Sequence, residues 1–510
     1  MSVVVHTDVA VVGAGPAGMA AAIAAAGFGC EVALIDSAET AGGQIYRQSL
    51  LTPPGAAPSA SRRMPERLRR VAESARIRHL PATTVWHAEP GGPSSPFVLH
   101  LADAAGRDAG PPDAGADLGQ ARFAGGPRET GRAPAVLQAR AVVVATGAAE
   151  LVVPFPGWDL PGVTTAGGAQ ALLKAHSVTV GARVLVAGSG PLLLPVAAAL
   201  STAGVRVVAV VEAVAMRAAV RRAPGLALHP AKLREAAGYA AALARHRVPV
   251  LTGRAVIACR GTDRVEDATI ARLGGDWRPV PGTERHVTVD AVHVSFGLSP
   301  ALEISRLLGC DDVPHPARPI AAIGHDADLA TSVPGVFAAG EATGAAGADV
   351  AELEGYLAGA SAARHAGRLT ATAHAARTHG LRQRLTRARR FADLIDSMYP
   401  FMPGWLDWPA PDTIACRCEQ VPWEAIGGAV AAGCGDVRSV KGVTRCGMGY
   451  CQGRVCGPIL QYAVAEAAGK RLGGVGDLHS RPVASPVPLH VIAATSAAPS
   501  KRADPGVEET

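Results

Sequence analysis

Aromatic residues are scarce in this 510-residue chain, at 4%, and the formal net charge of +6 is small for the length. A nucleic-acid surface needs a concentrated basic face with stacking rings, so that function class is set aside. The mild positive excess still leaves room for an acidic partner. No Cys-x-x-Cys lies between the two glycine-rich segments described below, which excludes a dithiol relay. The opening MSVVVHTD carries no cationic run, so no secretory leader is expected. Two uncharged windows, Val9 to Cys30 and Val184 to Val205, are long enough to span a bilayer. No one-sided basic flank orients either, and both place glycine and proline where a strand-turn-helix unit wants them, so no transmembrane segment is expected. What is present, 48% apolar content with glycine and proline at about a fifth, describes a globular chain of two to four domains.

The organising stretch is VAVVGAGPAG, Val9 to Gly18. A β-branched run forms a buried strand, and Gly13 allows the tight turn out of it. Gly15 lets backbone approach a pyrophosphate, and Gly18 lets the helix that opens at Pro16 pack close to the sheet. The helix then aims free N–H groups and its positive end at the phosphates. A second apolar strand stops at Asp36, where an acid can take the ribose 2′-hydroxyl. Past it, the Gly42–Gly43 pair lets the chain run beside a flavin nucleotide, with Gln44 and Arg47 in reach. Farther on, AVVVATG ends a buried strand at Thr146 and Gly147, and VFAAGE ends another at Gly340 and Glu341. All four residues are expected flavin contacts, Glu341 at the ribityl or pyrophosphate region. The arginine-rich stretch to His79 is expected to be helical, and Ala104 to Pro134 a surface insertion.

RVLVAGSGPLLLPVAAALSTAGVRVVAVVE, from Arg183, repeats the first unit with Gly188, Gly190 and Glu212 in matching places. Leu193 replaces the third glycine and is expected to push the helix off its strand. This site is open to NAD, another adenine nucleotide or nothing, with Glu212 favouring a free 2′-hydroxyl over NADP. Between His374 and Met398 the apolar spacing is helical, and the arginines are expected to form a solvated face, with an acidic partner as the alternative. Tyr399 to Trp408 is read as a linker packed on the surface, and the residues after Leu489 as a disordered tail.

Six of the nine cysteines lie between Cys416 and Cys456. Without a secretory leader, such clustering points to metal or redox work in a cytoplasmic chain. Cys416 with Cys418, and Cys446 with Cys451, form the two-plus-two thiolate arrangement of a 2Fe-2S cluster. Structural zinc is the competing occupant, although its cysteine pairs usually have two to four intervening residues. Cys434 and Cys456 are alternative ligands, treated as buried spares.

Together GAGPAG, GGQIYR, GSGPLLL, FAAGE and CRCE with TRCGMGYCQGRVC resemble the large flavoprotein subunit of heteromeric amine and amino-acid dehydrogenases. That group includes the alpha subunit of D-hydroxyproline dehydrogenase, the A subunits of octopine and nopaline oxidase, the B subunit of hydrogen cyanide synthase and, more distantly, sarcosine oxidase alpha. The resemblance implies an α/β fold with two Rossmann-like dinucleotide-binding domains, as in disulfide reductases, plus a small BFD-like 2Fe-2S module. Expected boundaries are 1–150 and 285–365 for the FAD domain, 151–284 for the insert, 366–411 for a linker, 412–470 for the module and 471–510 for a tail. The resemblance also implies a partner beta subunit with its own FAD that oxidises the amine, and a small ferredoxin-like subunit. This chain would then move electrons between FAD and the cluster, which fits the lack of any constellation suited to a substrate base. The alternatives are a self-contained NADH-dependent reductase and a non-catalytic, nucleotide-stabilised assembly subunit.

Overall fold

The computed structural model describes residues 4–47, 73–92, 95–104, 136–216, 229–315, 318–478 and 483–496, together with positions 66, 70, 71 and 225. Residues 105–134 of the expected insertion and most of the arginine-rich helix fall outside them. Ile77, Arg78, His79 and Leu80 are described, and they form a strand.

β1 (Val4–Val12), β2 (Val32–Ile35), β3 (Ile77–Leu80), β4 (Thr83–Glu89), β5 (Phe97–Asp103) and β6 (Val136–Val144) make the first sheet, in the order β3-β2-β1-β6-β5-β4. The inner strands are parallel and buried on both faces, as near-continuous Val, Ile, Leu and Ala runs require. β4 and β5 run antiparallel at the edge and extend the main sheet.

The chain leaves through β7 (Ala148–Glu150) and builds an insert from β8 (Val163–Thr165), β9 (Arg183–Gly188), β10 (Arg206–Glu212) and β11 (Val250–Thr252). An antiparallel meander follows, β12 (Arg254–Arg260), β13 (Asp267–Arg272) and β14 (Arg285–Thr288), before β15 (Ala291–Ser295) enters the sheet between β9 and β8. β16 (Leu298–Pro300) pairs with β7 as the chain returns. β14 and β15 therefore belong to the insert, past the expected boundary at 284. β17 (Asp312–Pro314) and β18 (Ala321–Ile323) form a hairpin, and β19 (Val336–Ala338) joins the second half of β6.

The Ala348–His365 helix packs on the Pro16–Gly27 helix at close range, because a Cβ at Gly355 or Gly359 would overlap the carbonyl of Ala17 or Ala21. A 28-residue helix follows, Ala371–Met398. Three of its arginines face protein, since Arg377 stacks over Phe28, Arg382 pairs with Asp328 and Arg389 with Glu354. The solvated face expected there is thus interrupted on the side that docks.

The proline-rich aromatic stretch is core and not a surface linker. Phe401, Trp405 and Trp408 are buried with Trp277 and Phe296 of the insert, and Trp405 also meets Trp423 and Tyr462 of the cysteine module. Proline and tryptophan content alone cannot tell a surface strap from a wedge between two domains. The module itself comprises β20 (Ile414–Cys416), β21 (Val421–Pro422) and helices Trp423–Ala431, Val437–Thr444 and Gly457–Ala467. The chain beyond Leu489 is helical to Ser496, and Val491 is buried against Trp86, so the disordered tail does not begin at Leu489.

Candidate functional site

At the first fingerprint Gly13 and Gly18 hold the tight turn and the close packing that their spacing implies. Gly13 has φ +106°, and a Cβ there would overlap the Ala145 carbonyl across from β6. A Cβ at Gly18 would strike the Gly13 carbonyl, so the helix sits as close to the turn as glycine permits. Pro16 occupies the first helical position, and Gly15 is its cap. Gly43 closes the cradle from the other side, where an added Cβ would lie 2.9 Å from the Gly15 Cα.

Asp36 accepts from Ala14 N at 2.5 Å and Ala38 N at 2.7 Å. Burial raises its pKa, and those two donors oppose the rise. Gln44 and Arg47 bond each other at 3.0 Å beside it, and Arg47 Nε is buried with no partner among the described residues. Glu341 accepts from Gly347 N at 3.0 Å through one oxygen, while its other oxygen is buried and unpartnered among the described residues. Burial also pushes the Glu341 carboxyl above the ordinary range. The Thr146 hydroxyl donates to the Ala301 carbonyl at 2.7 Å, and Ala301 N donates to the Gly147 carbonyl. Those bonds lock the crossing between the two domains.

The sequence gives no warning of the ion pair beneath this site. Glu354 is fully buried and accepts from Gly340 N and Thr343 Oγ1, each at 2.8 Å, while Arg389 reaches it from the long helix. Helical spacing would have flagged Glu354 only as a charge on an otherwise apolar face. Arg389→Ala leaves a buried carboxylate without its countercharge, and a loss of about 3 kcal/mol is expected in chemical denaturation, with weaker FAD retention.

The second fingerprint departs from the first in where its helix begins. Its helix starts at Leu193, capped by Leu192, whereas the first starts at the proline of the matching Gly-Pro pair. The N-terminus is retracted by about one half-turn, and Pro195 in the first turn removes another free N–H. Gly188 keeps its role, with φ +136° and the Ser295 carbonyl where a Cβ would go. Glu212 accepts from Gly190 N at 3.0 Å and Val214 N at 2.9 Å, and Tyr399 lines the same cavity.

Burial pushes Glu212 up to about 7. The folded chain therefore holds a proton that the unfolded chain has lost, and stability falls as pH rises from about 4.5 to 7. The slope from this group approaches about 1.4 kcal/mol per pH unit. Thermal unfolding between about pH 5 and 7 is expected to show that slope, and Glu212→Gln to flatten it.

Five cysteines converge in the module. Cys416, Cys446 and Cys456 place their sulfurs within 4.8 Å of one another, and Cys418 interacts with Cys451. Cys446 and Cys456 direct their thiols at Cys416, which pulls its pKa far below the thiol range and raises theirs. A cavity of about 100 Å³ is lined by Cys416, Cys418, Cys451 and Cys456, with Trp158, Thr164 and Thr165 of the insert opposite. Cys446 is buried and absent from that lining, and Cys434 is partly exposed. Of the two spares, Cys456 is thus part of the cluster of thiols. Spacing could not reveal this, because Cys446–Cys451 and Cys451–Cys456 both leave four residues between. The module is pinned by Trp158 Nε1 donating to the Ile414 carbonyl at 2.5 Å and by Arg417 stacked over Trp158 at 5.2 Å.

The model for the pyridine nucleotide-disulphide oxidoreductases matches residues 7–380, which contain both fingerprints. The chain belongs to that family. The sarcosine oxidase A3 domain matches residues 416–496, the cysteine module and the segment after it. The opine oxidase A subunit of Agrobacterium tumefaciens is 33% identical over 499 residues, 95% of this chain and 91% of that one. The hydrogen cyanide synthase subunit HcnB of Pseudomonas aeruginosa is 30% identical over 483 residues, 94% and 97% of the two chains. The solved L-proline dehydrogenase from P. horikoshii shares the fold, with a TM-score of 0.65 at 19% identity over 96% of this chain and 80% of that one. The resemblance read from the motifs is borne out, and the chain is an FAD-dependent oxidoreductase of α/β fold. Its family membership does not restore a dithiol relay, since Cys259 and Cys310 are buried singly and burial raises both thiols. No helix among the described residues is long and apolar enough to cross a membrane.

Proposed function

We propose that this chain is the electron-transferring subunit of a heteromeric amine or amino-acid dehydrogenase or oxidase, with FAD at the first fingerprint and a 2Fe-2S cluster in the cysteine cavity. The cavity itself carries this reading, because four thiols from two chain segments face one space against the insert. FAD exchanges electrons in pairs, and a 2Fe-2S cluster passes them singly. Cys416, Cys418 and Cys451 supply three ligands, and Cys456 supplies the fourth in place of Cys446 because it faces the cavity. A cradle closed by glycines suits FAD, as do the Arg47 Nε and the second Glu341 oxygen, both without a partner among the described residues, with Asp36 toward the ribose. Gly340, held by the Glu354–Arg389 pair, keeps β19 and its loop against the Pro16–Gly27 helix.

Relatives named as oxidase or synthase subunits support a separate catalytic partner, an FAD-containing beta subunit, and a substrate of the opine or amino-acid class. The insert serves as the module's platform. Its retracted helix and Pro195 argue against the pyrophosphate grip that a self-contained NADH reductase needs, and leave the adenine-nucleotide assembly role as the second reading. An anaerobic titration of the purified chain, with NADH first and dithionite second, separates these. Flavin bleaching by dithionite alone with a 2Fe-2S EPR signal is expected. Bleaching by NADH would make the chain a reductase, adenine nucleotide released on denaturation would favour the assembly role, and zinc without an EPR signal would remove the cluster.

A further inference from the structure

The edge of the first sheet carries a cluster that none of this chemistry uses. Thr83, Thr84 and Val85 of β4 face Asp103, Ala102 and Leu101 of β5 in turn, a register that would set His87 opposite Leu99. A bulge between Val85 and His87 shifts the pairing, and His87 faces His100 instead. Re-aiming a side chain is what such bulges do. Glu89, two residues on, shares the face of His87, and its Oε1 lies 2.6 Å from His100 Nε2. The imidazole centroids are 5.2 Å apart, and one ligand atom from each of the three residues lies within 4.8 Å of the others. Nδ1 of both histidines is buried without a partner among the described residues.

We propose that His87, Glu89 and His100 bind one divalent transition-metal ion of the zinc type. Two imidazoles and one carboxylate are a donor set that zinc takes, with bonds of about 2.0–2.2 Å. Ligands sharing a tetrahedral ion stand roughly 3.3–3.5 Å apart, so the ion enters by opening the Glu89–His100 contact by about 0.8 Å. The Glu89 side chain is 51% exposed, which gives an entry path and leaves water the fourth position. A single oxygen donor makes calcium or magnesium a poor fit. Bound there, the ion ties the edge strand to its neighbour beside the place where Ala484 N bonds the Trp86 carbonyl.

The test is equilibrium dialysis of the full-length flavoprotein against micromolar zinc chloride, followed by zinc-edge X-ray absorption. One zinc per chain with a nitrogen and oxygen shell is expected, together with at least a tenfold weaker uptake in His100→Asn. Glu89→Gln, at an exposed position, gives the same loss if the histidine variant fails to fold. FAD content and the melting transition should stay unchanged in Glu89→Gln. No uptake, a shell made only of sulfur, or nitrogen-bound zinc undiminished in both variants would each overturn the site.

Discussion

A Gly13→Val chain is expected to be isolated without FAD and without oxidoreductase activity. Two independent costs meet at this position. The backbone is held at φ +106°, outside the range that a β-branched residue tolerates, and a Cβ would occupy the place of the Ala145 carbonyl oxygen. That carbonyl belongs to the end of β6, whose Ala145 N donates to Val12 at the end of β1. Relief therefore requires parting the two strands whose ends frame the pyrophosphate. Gly27→Ala is the matched control, because nothing lies within 4 Å of the added methyl and the helix gains propensity. The ratio of flavin absorbance to protein decides the matter, and a Gly13→Val chain with full FAD would refute the placement of the dinucleotide at this turn.

The second large effect is expected at the cysteines. Cys418→Ser and Cys456→Ser should each abolish the EPR signal of the reduced cluster, whereas Cys446→Ala should keep it at a lower reduction potential. Cys456 lines the cavity, while Cys446 is absent from its lining and hydrogen-bonds the Cys416 sulfur. Losing a donor to a ligand sulfur makes the reduced, more negative cluster harder to form. Signal lost in Cys446→Ala but kept in Cys456→Ser would return the ligand set to the pairs implied by spacing. Cys434→Ser should change neither signal nor potential.

The sequence by itself determined the parts of this protein that depend on local backbone chemistry. Strand, glycine turn, helix and acid follow from β-branched runs and from positions only glycine can occupy, so the site around Gly13 and Asp36 was legible. So was the loss of the third glycine from the second fingerprint, since Leu193 cannot approach a carbonyl as Gly18 does. Tertiary structure alone decided which thiol faces the cavity, because two pairs of equal spacing differ only in the direction their loop presents them. It also decided the Glu354–Arg389 pair, the buried wedge around Trp405 and the meeting of His87 with His100. Each of these joins segments far apart in the chain or turns on one inserted residue, and long-range burial and register leave no periodic trace in sequence.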